Sequence, residues 1–237
     1  LTHQDDDALF GRPPLVPRSG AVLLPRWLGI EQQRQLLHAC REWARGAAGL
    51  HRPSMPDGTP MRVRSVCLGW HYSLRHGYTR TTVGADGTPV KPLPGWLADL
   101  ARRAVVEAAE LDDEVCGRPR DHKADAAIVN FYDDEARLGM HQDRAEESGA
   151  PVVSLSLGNS CVFRFGNNET RTRPWQDLIL HSGDLFVFGG PGRMAYHSVV
   201  RTLPGTAPAE LGIRGGRVSV TVRETGLTPN LPAQRSR

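Results

Sequence analysis

Residues 152–192 run VVSLSLGNSCVFRFGNNETRTRPWQDLILHSGDLFVFGGPG, a succession of short apolar segments punctuated by turn residues. The segments 152–157, 161–165, 177–180 and 185–188 are rich in Val, Leu, Ile and Phe. Gly158-Asn159, Gly166-Asn167-Asn168, Ser182-Gly183-Asp184 and the run Gly189-Gly190-Pro191-Gly192 separate them. Such residues supply backbone angles that a continuing strand does not use. Two further β-prone runs, 126–132 and 217–223, flank the stretch. Many short strands at close intervals indicate a β-barrel or jelly roll.

Upstream the apolar period lengthens. In 31–46, Leu36, Leu37, Cys40, Trp43 and Ala44 recur at three- and four-residue steps, and Gly46 is a stop signal, so a helix is expected. A second helix is expected over 94–111, with Trp96, Leu97, Leu100, Ala104 and Val105 on one face. Residues 61–78 are strand-like but interrupted by Gly69 and Gly77, and residues 1–20 are polar and rich in Pro and Gly. The fold class read from this is mainly β with flanking helices (α+β). Its expected parts are a helix-bearing N-terminal region over 1–120, a barrel over 121–228 and an unstructured tail over 229–237.

Composition narrows the function classes. The chain has 237 residues, 39% hydrophobic and 23% charged, enough apolar material for a buried core. No apolar run approaches the roughly 18 residues of a membrane span. The first ten residues are acidic and lack an apolar signal segment. Cys40, Cys67, Cys116 and Cys161 show no CxxC spacing; this speaks against a zinc knot or a disulfide framework and for a reducing, cytoplasmic setting. Net charge is only +3, but residues 1–120 hold 16 Lys+Arg against 13 Asp+Glu, whereas 121–237 hold 13 of each. Within the first part, 58–85 carries Arg62, Arg64, Arg75 and Arg80 and no acidic residue.

Three constellations carry chemistry. In an extended His141-Gln142-Asp143, alternate residues share a face, so His141 and Asp143 point together and Gln142 away. With a distant histidine they would form a 2-His-1-carboxylate site, which holds Fe(II) on one face and leaves three positions open. His197, 56 residues on, is the first candidate for that histidine and His181 the competitor. Alone, HxD equally describes a surface His beside a solvated acidic loop (Glu146, Glu147). The second constellation is Arg217-Val-Ser-Val-Thr-Val-Arg223, a strand whose polar face carries Arg217, Ser219, Thr221 and Arg223. By itself it suits a half-exposed strand; behind an HxD it suggests a dicarboxylate site, since guanidinium binds carboxylate bidentately and stays charged when desolvated. An open iron and an arginine-lined pocket match 2-oxoglutarate, whose keto acid end chelates metal while its far carboxylate needs a cation. The third is Asn130-Phe131-Tyr132, where Asn130 and Tyr132 share a face and can donate hydrogen bonds to the cosubstrate or serve only as packed strand residues.

Taken in order, Asn130-Phe-Tyr132, Gly139-Met-His141-Gln-Asp143, Ser154-Leu-Ser-Leu-Gly158, Phe163-Arg-Phe-Gly166, Ser182-Gly-Asp184, Tyr196-His197 and Arg217…Arg223-Glu-Thr-Gly226 resemble the AlkB family of Fe(II)- and 2-oxoglutarate-dependent nucleic-acid dealkylases. The match is dense over 125–226 and thinner upstream, at Met61, Leu68-Gly69-Trp70 and Gly77-Tyr78. The resemblance implies a double-stranded β-helix with an N-terminal nucleotide-recognition lid. It implies His141, Asp143 and His197 as iron ligands and Asn130, Tyr132, Arg217, Ser219 and Arg223 around 2-oxoglutarate. Ser219 departs from the longer amide of the bacterial archetype. Trp70, Tyr78 and Arg171 correspond to substrate contacts, although one extra residue separates the two aromatics here. Ala145 replaces an aspartate near the target base, which removes an acceptor for an exocyclic amine.

The lid residues agree with such a partner: Trp70, Tyr72 and Tyr78 interleave with arginines and with His71 and His76, giving stacking faces and phosphate-neutralising charges. The implied activity is hydroxylation of an N-alkyl carbon in alkylated DNA or RNA with O2 as cosubstrate, 2-oxoglutarate leaving as succinate and CO2 and the alkyl group as an aldehyde. The alternatives are an oxygenase of the same barrel acting on a protein or small molecule, and a non-catalytic barrel that binds modified nucleic acid. No membrane partner is expected, and a monomer is the default.

Overall fold

The structure, a computed structural model, describes residues 11–82 and 87–228. The tail expected over 229–237 lies outside the described residues. Among them, no helix is long and apolar enough to cross a membrane.

Strand β13 (Arg217–Arg223) shows how the sequence builds the architecture. Its alternation is as expected, but neither face meets water. Val218, Val220 and Val222 pack with the helices, while Arg217, Ser219 and Arg223 are buried on the other side. β13 lies between β8 (Val152–Gly158) and β6 (Ala126–Tyr132). Beyond β8 comes β11 (Leu185–Phe188), and the antiparallel sheet continues to seven strands. A four-stranded sheet comprises β10 (Trp175–Leu180), β9 (Ser160–Gly166), β12 (His197–Leu203) and β7 (Leu138–His141), in that order. From β6 to β13 the chain passes back and forth between the two sheets, remaining in the smaller one only for the consecutive pair β9 and β10, so that β6, β8, β11 and β13 lie in one and β7, β9, β10 and β12 in the other. This is the double-stranded β-helix arrangement.

The sheet does not respect a boundary at residue 120. β1 (Leu15–Arg18) and β2 (Ala21–Leu24) extend its β11 edge, and β3 (Arg64–Leu68) extends its β6 edge. β1 falls in a segment whose polarity suggested no regular structure, and β7 and β12 were likewise not evident as strands. β4 (His71–Ser73) and β5 (Gly77–Thr79) form a separate hairpin beside β3.

Two apolar layers hold the sheets. Helices α1 (Ile30–Trp43) and α2 (Gly95–Ala109) cover the large sheet with Leu36, Leu37, Leu97 and Val105 against Val153, Leu155 and Val220. Between the sheets, Phe165 meets Phe186 and Phe188 edge-on, with ring centroids 5.1 and 5.6 Å apart, a favoured aromatic geometry. Trp96 departs from its expected inward face: it is 49% exposed and stacks on Trp43 at 5.9 Å.

Leu155, fully buried and paired with both β11 and β13, is the test of this core. Leu155→Ala is expected to lower unfolding free energy by about 2–5 kcal/mol, measured as a shift in urea midpoint at unchanged slope.

Candidate active site

β7 ends at His141 and β12 begins at His197, and these residues face each other in the strand register. Their ring centroids are 4.3 Å apart. Asp143 follows in the loop, with its carboxylate oxygens 3.8 Å from Nε2 of each histidine. Both Nδ1 atoms lie against backbone carbonyls, His141 with Gly139 at 2.8 Å and His197 with Ala195 at 3.0 Å. Carrying the proton on Nδ1 leaves both Nε2 lone pairs directed at the common point, as metal ligation requires. Burial, reinforced by His141, lowers the His197 pKa to about 4, so its ring is neutral at neutral pH. Gln142 turns to the opposite side and donates to the carbonyls of Asn168 and Met194. His181 is elsewhere, its Nδ1 3.1 Å from Ser160 Oγ.

Asp143 is 7% exposed. Burial pushes its carboxyl up, but the guanidinium of Arg223, both histidines and Arg193 outweigh that and hold it well below the usual carboxylate range. Arg223 Nη2 donates to Oδ2 at 2.7 Å, and Arg193 donates to the Asp143 carbonyl. The same two arginines clamp Glu146, whose side chain is 0% exposed, at 3.1 and 3.0 Å. Tyr78 completes the group by donating to Glu146 at 2.5 Å while accepting from Arg223 at 3.1 Å. A solvated acidic loop at this position is therefore incorrect for Glu146. Neither Glu146 nor Arg193 was singled out from the sequence, because no motif spacing marks either residue.

A narrow cavity between the sheets runs among His141, Asp143, His197, Asn130, Tyr132, Ser219, Arg223 and Arg217. Arg217 is 2% exposed and donates to Ser156 Oγ at 3.0 Å, yet its Nε and Nη1 have no hydrogen-bond partner among the described residues, nor has Arg223 Nε. Buried guanidinium donors left unmatched are costly, so these atoms fit a carboxylate-bearing ligand. The donor set of two imidazoles and a carboxylate likewise fits Fe(II). Asn130 accepts from Ser65 at 2.6 Å, a partner fixed by the β3–β6 register, and its side chain also hydrogen-bonds Tyr132. Ser219 approaches Ser154 at 3.4 Å.

A wider pocket of about 450 Å³ opens onto the same His141, Asp143 and Arg223. Its walls include Met55, Met61, Tyr72, Leu74 and Ile128, with Arg171 among the lining residues. The two expected lid aromatics do not line it. Trp70 is 5% exposed, donates to Asp125 at 3.0 Å and carries Arg80 3.6 Å above its ring; it anchors the lid. Tyr78 is turned to Arg223 and Glu146, and Tyr72, 5.1 Å from it between ring centroids, supplies the pocket face. Alternation along β3 also separates Arg64 from the pocket: Ser65 and Cys67 face it, whereas Arg64 joins the α1 side with Leu37 and Arg41.

The clamp on Glu146 is testable by stability. Arg193→Met leaves that carboxylate short of one buried partner and is expected to cost about 3–5 kcal/mol; Arg193→Met with Glu146→Gln should recover part of the loss in urea unfolding. Despite its burial, Glu146 has a pKa lowered from 4.5, chiefly by Arg223. Its contribution is thus full above 4.5 and declines as pH falls through the native value. Glu146→Gln should remove that part of the acid dependence of the unfolding midpoint.

Comparison with known proteins agrees with the geometry. Residues 20–223 match the family described as the 2OG-Fe(II) oxygenase superfamily. An AlkB homolog of Caulobacter vibrioides, named as an alpha-ketoglutarate-dependent dioxygenase, is 36% identical over 89% of this chain and 90% of its own length. ALKBH1C of Arabidopsis thaliana, named as a DNA N(6)-methyladenine demethylase, is 31% identical over 94% of this chain and 52% of its own. The chain thus spans about half the length of the plant relative and nearly all of the bacterial one. The solved structure of OsALKBH1 superposes with a TM-score of 0.77 at 29% identity, covering 89% of this chain and 100% of that one. Its barrel, triad and sequence together place this chain in the AlkB family of 2OG-Fe(II) oxygenases.

Proposed function

We propose that this chain oxidatively dealkylates N-alkylated bases in DNA or RNA, consuming 2-oxoglutarate and O2. The observation that carries the reading is one cavity holding the triad together with the unmatched buried donors of Arg217. When bound, Fe(II) with 2-oxoglutarate supplies the oxidising equivalent that converts an N-alkyl C–H to C–OH, and the hydroxylated substrate then releases an aldehyde and the unmodified base. His141, Asp143 and His197 hold the metal. Arg217 grips the far carboxylate of 2-oxoglutarate, with Tyr132 and Ser219 beside it, and Asn130 and Arg223 serve its keto acid end.

Arg223 therefore has a double task, since it also pairs with Asp143 and fixes the direction of that ligand. The wide pocket receives a base turned out of its stack. Tyr72 offers it a flat face, the methionine side chains adapt to its outline, and Arg171 meets the backbone at the rim. Because Trp70 and Tyr78 are committed to structure, their contribution to substrate is indirect, through the position of the hairpin and of Arg223. Exposed Arg62, Arg75 and Arg80 supply phosphate-neutralising charge. The names of the relatives point the same way, one being a DNA demethylase by name.

Formaldehyde release across a panel of methylated bases in short DNA and RNA strands tests the proposal. Release from at least one strand, dependent on 2-oxoglutarate and weakened by salt, is expected; turnover only of a free metabolite or peptide overturns it. Asp143→Ala should abolish release while leaving strand binding in place. Arg217→Ala should raise the KM for 2-oxoglutarate about 10- to 150-fold, the loss of one charged hydrogen-bonding partner. An unchanged KM removes Arg217 from that role.

A further inference from the structure

A second group of ligand-type side chains stands apart from the triad. His51, Cys67 and His71 each bring a ligand atom within 4.8 Å of the others. They come from three segments: His51 bridges to Ser65 beside β3, Cys67 lies within β3, and His71 opens β4. The turn joining the last two passes through Gly69, where φ is +74° and an added Cβ would sit 1.9 Å from the Asp125 carbonyl oxygen. Cys67 and His71 are 4% and 5% exposed, and the two imidazoles are 5.0 Å apart between centroids.

Two details go beyond packing. His51 Nδ1 faces the Gly49 carbonyl at 3.4 Å, the same arrangement that frees Nε2 in the triad histidines. Burial pushes the Cys67 thiol pKa up, and the Tyr72 backbone N–H, which donates to its sulfur, offsets part of that rise. Burial, with a smaller push from His51, lowers the His71 pKa to about 4, and burial also lowers that of His51. Both rings are thus neutral, as coordination requires.

We propose that His51, Cys67 and His71 form a second metal site, for Zn(II), that ties the β4–β5 hairpin to the edge of the barrel. One thiolate and two imidazoles are a softer donor set than the triad's carboxylate and imidazoles, which separates the preferences of the two sites. Zinc bonds of about 2.0–2.3 Å place tetrahedral donors roughly 3.3–3.6 Å apart, and the donor atoms here already lie within 4.8 Å of one another. Cys67 gives up its proton to solvent on binding. His51 and Cys67 stand in the wall of the wide pocket, so water reaches the fourth position from that side. The site was not legible as a motif because its ligands are one cysteine and two histidines from separate segments, not a CxxC pair.

Cobalt(II), which occupies zinc sites and reports a bound thiolate by near-ultraviolet charge transfer, is the probe. After chelator stripping, the Asp143→Ala protein should bind one equivalent of cobalt with that band, and zinc should displace it. Wild type should bind two equivalents, and Cys67→Ser should bind one, without the band. A wild-type or Asp143→Ala protein that binds cobalt with no thiolate band overturns the site, as does a Cys67→Ser protein that still binds two equivalents. The Asp143→Ala spectrum decides the matter even if Cys67→Ser fails to fold. Presence of the band is independent of any dealkylation activity, so this site and the proposed reaction can fail separately.

Discussion

Arg223 and Asp143 meet at 2.7 Å inside a barrel wall, with side-chain exposures of 8% and 5%. Removing two charges from water is expensive unless further partners satisfy them. The surroundings meet that requirement in layers. Arg193 and Arg223 share Glu146, Tyr78 bridges Glu146 and Arg223, and Arg193 returns to the Asp143 carbonyl. The result is an alternating set of charges in which each carboxylate has at least one guanidinium and the direction of the Asp143 oxygens is fixed before any ligand arrives.

That clamp explains a division of labour in the lid. Tyr78 stabilises the charged set from beneath, Trp70 anchors the hairpin through Asp125, and Tyr72 is left to face the pocket. Asp125 is shared, since it also accepts from the Thr225 backbone and hydroxyl. Segments before β6 and after β13 are thereby joined at the base of the lid. In the neighbouring cavity the imbalance is at Arg217, whose Nε and Nη1 are buried without a hydrogen-bond partner among the described residues.

Much of this was legible along the chain. The 126–132 and 217–223 strands match the observed bounds, both helices fall within a few residues of expectation, and the expected alternation of Arg217, Ser219 and Arg223 holds. β7 escaped notice because it is only four residues long, and β12 because its seven residues, HSVVRTL, mix polar and apolar positions without a clean alternation. Glu146 resembled a surface acid because its two arginine partners lie 47 and 77 residues away. Arg64 resembled part of a basic lid because composition records charge but not the face of a strand.

Local alternation determined that His141 and Asp143 point together and that β13 carries a polar face, since the side-chain period of two is a property of the extended backbone itself. Turn residues likewise determined a many-stranded barrel. Tertiary structure alone decided what those faces meet: His197 rather than His181 opposite His141, Tyr72 rather than Trp70 in the pocket, Glu146 between two arginines, and Cys67 between two histidines. These pairings depend on register and on which sheet covers which, and both are set by packing among residues far apart in the chain.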